Sequence, residues 1–162
     1  RLYNTLFRMT GHVEDASELL QEAMIRVYRG LRSYQGDSSF YTWLYRIVVN
    51  VAFTHRRKQK GRPLSVESGL EAGRLDLANL DESLRPSRNI EIDETKGIIE
   101  QALAKVPASY RAVLILKDID GLKYEEIAEI LDIPIGTVRS RLHRARSEMR
   151  DRLKPYFDSG TI

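Results

Sequence analysis

Gly121-Leu122-Lys123-Tyr124-Glu125-Glu126-Ile127-Ala128-Glu129-Ile130-Leu131-Asp132-Ile133-Pro134-Ile135-Gly136-Thr137-Val138-Arg139-Ser140-Arg141-Leu142-His143-Arg144-Ala145-Arg146-Ser147-Glu148-Met149-Arg150 reads as two short helices joined by a tight turn. In the first, Ile127, Ala128, Ile130 and Leu131 form an apolar face, while Glu125, Glu126 and Glu129 face water. Asp132 to Ile135 makes the turn, and Pro134 sits near the first position of the second helix, where its missing N–H costs nothing. In that second helix Val138, Leu142, Ala145 and Met149 fall within about 60° of one another at ~100° per residue, so they are the buried stripe. Ser140, His143, Arg144 and Ser147 lie opposite; Arg139 and Arg146 flank one edge and Arg141 the other. A helix packed on one face and rich in arginine on the other suits the major groove of DNA. There Arg144 could grip a guanine with two hydrogen bonds, Ser140 and His143 could offer weaker polar contacts, and the flanking arginines are placed for phosphates.

Upstream of this motif the pattern is also helical. Ala16, Leu19, Leu20, Ala23, Val27 and Leu31 recur at three- and four-residue steps, with Asp15 as the expected N-cap and Glu18 completing a capping box. Residues 33–39 are turn formers and read as a loop. Phe40, Trp43, Leu44, Ile47, Val48, Val51 and Ala52 make the stripe of a second helix, which ends in the basic run His55 to Arg62 and is stopped by Pro63. Residues 63–91 are expected to be an acidic, flexible linker with one helical turn near 76–80. A third block starts near Ile92, with Ile98, Ile99, Ala102 and Leu103 as its stripe; Pro107 punctuates it, Tyr110, Val113, Leu114 and Leu116 continue it, and Asp118 to Gly121 turns into the opening motif. The fold class expected is therefore all-α, in two small helical domains. Because the pattern starts at Arg1 already in helical register, a segment ahead of it is expected.

Charge follows this division. Residues 1–62 hold 11 basic and 5 acidic side chains, a net +6; residues 63–95 hold 3 and 8, a net −5; residues 96–162 hold 12 and 10, a net +2. Two basic blocks around an acidic middle suit two polyanion-facing modules on a repelling tether. The chain has no cysteine, which removes disulfides and thiolate metal sites and fits a reducing compartment. No stretch is long and apolar enough to span a bilayer. His12, His55 and His143 are far apart in sequence, and no phosphate-cradling or metalloprotease string occurs. No catalytic residue, metal site or cofactor is therefore expected, and the chain is not read as an enzyme.

The amino-terminal block adds an aromatic cluster, Tyr34, Phe40, Tyr41, Trp43 and Tyr45, beside a polar loop. Aromatic rings there can stack on unpaired bases, and Asp37, Ser38 and Ser39 with the loop amides can line a pocket for an extruded base. Core packing is the competing reading for the rings, above all for Trp43. The run from His55 to Arg62 can track a phosphate backbone. Glu14, Asp15, Glu18, Gln21 and Glu22 make an acidic face that does not help DNA binding and suits a protein partner.

Leu20-Gln21-Glu22-Ala23, Gly36-Asp37-Ser38-Ser39-Phe40-Tyr41-Thr42-Trp43-Leu44-Tyr45-Arg46-Ile47 and Gly136-Thr137-Val138-Arg139-Ser140-Arg141-Leu142 resemble the extracytoplasmic-function (group 4, sigma-E-like) sigma factors of bacteria, in order and over nearly the whole chain. The resemblance implies a subunit that directs core RNA polymerase to promoters and helps to open them. It implies sigma region 2 over 1–62, with its first helix cut short, the linker over 63–91, region 4 over 92–157 and a tail over 158–162. By position Glu18, Gln21 and Glu22 match the face that meets the polymerase clamp helices. The loop from Tyr34 to Phe40, with Asn50, matches a pocket for a −10 base; the candidate −10 set is Tyr34, Gly36, Asp37, Ser38, Ser39, Phe40, Trp43, Asn50, Arg56 and Arg57. Arg139, Ser140, His143 and Arg144 match the −35 reading face, and Thr137, Arg141 and Arg146 complete that candidate set. The linker would thread toward the polymerase active-site and RNA-exit channels. A contact with the polymerase flap, an anti-sigma partner and a cytoplasmic location are further implications. Glu18 stands where the family usually has aspartate, and His143 where it often has an apolar or aromatic residue. The alternative reading of the residues is a stand-alone helix-turn-helix regulator that binds DNA without polymerase.

Overall fold

The computed structural model describes residues 1–60 and 89–161. Seven α-helices order them: α1 (Leu2–Thr10), α2 (Val13–Gly30), α3 (Phe40–Lys60), α4 (Asn89–Ala104), α5 (Ala108–Leu114), α6 (Tyr124–Leu131) and α7 (Ile135–Asp158). A 3-10 turn at Leu31–Ser33 follows α2, and a π turn at Ile115–Ile119 extends α5. No strand occurs among the described residues. The expected linker lies outside them over 63–88, as does its helical turn near 76–80; α4 starts at Asn89, three residues inside the stretch assigned to that linker.

The amino-terminal half is a three-helix unit. Residues 2–10, read as helical register but given no stripe of their own, form α1 and bury Thr5, Leu6 and Met9. Gly11 ends the helix in the left-handed conformation (φ 85°), and its N–H returns to the Phe7 carbonyl at 2.7 Å. α2 begins at Val13 with His12 as N-cap, so Asp15 is a first-turn acid rather than the cap. It favours the helix dipole and pairs with His55 of α3 at 3.2 Å. Ala16, Leu19 and Ala23 are buried as the periodicity predicts, but Leu31 is 51% exposed and does not belong to that stripe. Ser39 caps α3: its hydroxyl accepts the Thr42 N–H at 3.1 Å.

The carboxy-terminal half folds α4 and α5 around the helix-turn-helix pair α6 and α7. Asp132 takes the left-handed conformation (φ 50°) at the end of α6, where a short polar side chain is tolerated, and Pro134 is the N-cap of α7, one residue before the helical position assigned to it. Val138, Leu142 and Ala145 are buried, and Met149 packs against them half-buried.

The two halves share one continuous apolar core, running from Leu6, Leu19 and Val48 to Ile115, Ile130 and Leu142. α3 packs on α6, and α1 packs on α4, α5 and the π turn. Polar contacts fasten this seam: Thr5 donates to Asp120 Oδ2 (2.9 Å), Arg8 to Glu100 (3.0 Å) and Arg46 to Glu129 (3.0 Å), and Arg1 pairs with Asp120. Arg111 is buried and donates to the carbonyls of Met9 (3.2 Å), Ala104 (2.7 Å) and Val106 (3.2 Å), so a single guanidinium satisfies carbonyls at or just past the ends of α1 and α4, one helix from each half.

Candidate nucleic-acid interface

α7 is the centre of the candidate site, because its apolar stripe is consumed by α5 and α6 and its basic face is left outside. Arg139, Ser140, His143, Arg144 and Arg146 are exposed, whereas Thr137, Arg141 and Ser147 are half-buried. Ser147 was placed on the outward side by the helical wheel; it is half-buried. The outer arginines are anchored from other elements. Arg144 donates Nη1 to the Tyr110 hydroxyl (3.1 Å), and this contact raises the guanidinium pKa. Arg146 meets Asp118 through two hydrogen bonds (3.0 and 2.7 Å), which likewise raises its pKa. The Arg139 guanidinium lies 5.9 Å from the Tyr124 ring centre, within cation–π range. Ser140 turns its hydroxyl back to the Thr137 carbonyl (3.1 Å), a common resting state for a helical serine. Tyr110, Asp118 and Tyr124 were not among the sequence candidates; they lie 15 to 34 residues from the arginines they hold, beyond the reach of any local spacing rule.

A second cluster sits where the loop enters α3. Tyr34, Phe40 and Trp43 cluster with ring centres 5.1–5.9 Å apart, Tyr34 edge-on to Phe40 and the other two pairs tilted. Trp43 is half-buried against Gly30 rather than in the core, Phe40 is 43% exposed and Tyr41 61% exposed. The Tyr34 hydroxyl donates to the Ser38 carbonyl (2.6 Å) and closes the loop around Gly36, which needs its positive φ (81°) there. Asp37 and Asn50 are exposed, and Trp43, Asn50 and Arg57 follow at seven-residue steps along one face of α3. Arg56 does not join that face: it lines a small cavity at the seam with Met9, Ala52, Phe53, Ala108, Arg111 and Ala112. Tyr45, grouped by sequence with the stacking rings, is buried at the seam.

The acidic candidates Glu18, Gln21 and Glu22 are all exposed on α2, with Glu22 tied to Arg26 at 2.6 Å. Beside them the sequence reading missed an apolar strip: Met24, Ile25, Tyr28 and Leu31 are 38%, 52%, 79% and 51% exposed. Gln21, Ile25 and Tyr28 share one face at four- and three-residue steps, a signal the sequence did contain. Neighbouring large apolar side chains left in water are a common feature of interaction surfaces.

Comparison with known proteins identifies the family. Residues 1–62 match the family described as sigma-70 region 2, and residues 96–149 match sigma-70, region 4. The ECF RNA polymerase sigma-E factor of Escherichia coli K12 is 41% identical over 143 residues, spanning 87% of this chain and 75% of that protein. The RNA polymerase sigma-H factor of Pseudomonas aeruginosa is 35% identical over 159 residues, spanning 96% of this chain and 81% of that one. Among solved structures, the sigma factor RpoE of Bartonella quintana, crystallised with the anti-sigma factor NepR, superposes with a TM-score of 0.70 at 22% identity, covering 94% of this chain and 89% of that one. The fold is thus that of a sigma factor, and the chain belongs to the extracytoplasmic-function sigma factors, non-enzymatic initiation factors that direct RNA polymerase to promoters.

Proposed function

We propose a division of labour within this sigma factor, with region 2 over 1–62, an acidic connection over 63–91, region 4 over 92–157 and a tail over 158–162. α7 docks in the major groove at the −35 element, where Arg144, His143 and Ser140 address base edges and Arg139, Arg141 and Arg146 address phosphates. The Tyr34–Phe40 loop, with Trp43 and Asn50, receives a −10 base that has left the stack, and Arg57 follows the backbone beside it. Unstacking costs a few kcal/mol, which ring stacking and loop amides offset. The exposed strip Gln21, Met24, Ile25, Tyr28 and Leu31, with Glu18 and Glu22, meets the polymerase clamp helices, and region 4 meets the flap. An anti-sigma protein is a further partner, as in the solved complexes of the neighbouring folds, and the site of action is the cytoplasm.

The observation that carries this reading is that α7 buries its apolar stripe while Arg139, His143, Arg144 and Arg146 remain exposed. Run-off transcription with purified core polymerase on a promoter library tests it. Start-site-dependent initiation that requires this chain, with matched sequence at both elements, is expected. Tight specific binding of the chain alone to DNA, with no stimulation of polymerase, would replace it with the stand-alone regulator.

A further inference from the structure

Arg146 is not a loose cation. Its Nε donates to Asp118 Oδ2 at 3.0 Å and its Nη2 to Oδ1 at 2.7 Å, a side-on fork that fixes the guanidinium plane. Asp118 belongs to the π turn, whose extra residue per turn is a feature enriched at functional positions. The neighbouring Lys117 anchors the same turn, with Nζ 4.8 Å from the Tyr124 ring centre and a hydrogen bond to the Leu122 carbonyl at 3.0 Å. The fork uses two of the five guanidinium N–H groups and leaves three, on Nη1 and the outer side of Nη2.

Stability is a weak reason for this pair. Its side chains are 51% and 34% exposed, and such pairs contribute about 0.2–1 kcal/mol. Against that, Asp118 sets a negative charge beside a helix whose partner is a polyanion, which lowers affinity for any DNA. Tyr110 shows the contrast: it anchors Arg144 without adding charge. An acid that opposes binding and adds little stability has a use in discrimination. A free arginine accepts whichever phosphate comes near; a clamped one reaches a phosphate at one place only.

We propose that Asp118 is a positioning residue for promoter recognition: it clamps Arg146 so that the remaining N–H groups meet one backbone phosphate in register with Ser140, His143 and Arg144, while suppressing attachment to DNA at large. This rests on the reading of the outer face of α7 as the −35 reader.

The test uses the full chain assembled with core polymerase. One duplex is enriched by this holoenzyme from a random −35 library; the other carries a scrambled −35 element. Asp118→Ala is expected to bind the enriched duplex roughly three- to tenfold more weakly and the scrambled one roughly two- to threefold more tightly, with a salt slope on the latter steeper by about 1. Asp118→Glu is expected to restore selectivity. In an Arg146→Ala background, Asp118→Ala should no longer weaken binding to the enriched duplex. Asp118→Asn, close in shape, makes the same comparison should the alanine variant melt early. Equal tightening on both duplexes, or no change on either, overturns the positioning role. Arg144→Ala separates the levels: if it weakens enriched binding while the Asp118 and Arg146 variants do not, only the positioning role fails; if it too changes nothing, the −35 reading of α7 fails with it.

Discussion

Arg111 carries a cation into the core with no carboxylate at salt-bridge distance among the described residues. Burial first, and Arg56 second, push its pKa down to about 10, so at neutral pH it stays charged and depends on the carbonyls of Met9, Ala104 and Val106. Arg111→Met should therefore cost about 2–4 kcal/mol in a denaturant melt, because buried acceptors lose their donors. Arg111→Lys should not rescue it, since one ammonium nitrogen does not reproduce the spread of guanidinium N–H groups that reaches three separate carbonyls. Tyr45 makes the opposite case. Its hydroxyl is buried beside Thr5 and Asp120 without a hydrogen bond of ordinary geometry, and burial, with Asp120 next, raises its pKa. Tyr45→Phe is expected to be neutral or to stabilise by up to about 1 kcal/mol in the same melt; a loss above that would show a bond that the geometry does not. Neither role was legible in the sequence. A lone arginine reads as surface by default, and its partners here are backbone carbonyls, which leave no letter. Tyr45 reads as one more ring in an aromatic run, because the seam that buries it comes from a segment over 70 residues away.

Helices were legible wherever one face is buried by a neighbour in sequence. The α7 stripe Val138, Leu142 and Ala145, and the α2 stripe Ala16, Leu19 and Ala23, follow the helical period and are buried as it predicts. The π turn was not legible, since one added residue shifts the register within a run that is apolar on every side, Val113 to Leu116. α1 was read as helical register from Arg1 but given no stripe of its own, because its polar Thr5 is a core residue, fully buried against Asp120. The outer face of α2 shows a different failure: its acids drew attention as charges, while Ile25 and Tyr28 beside them were left unassigned. Tyr28, at 79% exposure, contributes little to folding. Tyr28→Glu should leave the melting temperature within error and weaken core polymerase binding by roughly tenfold or more, as expected for an aromatic anchor at the centre of an interface. Unchanged competition against wild-type chain for core enzyme would remove α2 from that interface.

The molecule as a whole holds its halves together. A compact chain of this length has a radius of gyration of roughly 15 Å, whereas elements centred near −10 and −35 lie about 25 base pairs apart, or ~85 Å at 3.4 Å per pair. If the two faces engage both elements as proposed, the seam between α3 and α6 must open. Asp120 makes that opening depend on pH. Its carboxyl is buried at the seam, and burial raises its pKa above the ordinary 3.8; Thr5, Arg1, Arg8 and Tyr45 oppose the rise without cancelling it. In the open form water restores the ordinary value. The closed form thus holds a proton more tightly, so its burial penalty is absent when Asp120 is protonated in both forms. The penalty enters as pH rises from the ordinary carboxylate range through the raised value, and it is complete above. Closure should weaken as pH climbs over that window. Donor and acceptor dyes on exposed positions of α2 and α7, such as Arg29 and Arg150 changed to cysteine in this cysteine-free chain, report the separation. Energy transfer should fall with rising pH in the otherwise native chain and stay flat in Asp120→Asn, which keeps an acceptor for Thr5 but cannot ionise. A slope that survives Asp120→Asn would assign the pH response to another group and leave Asp120 a neutral member of the seam.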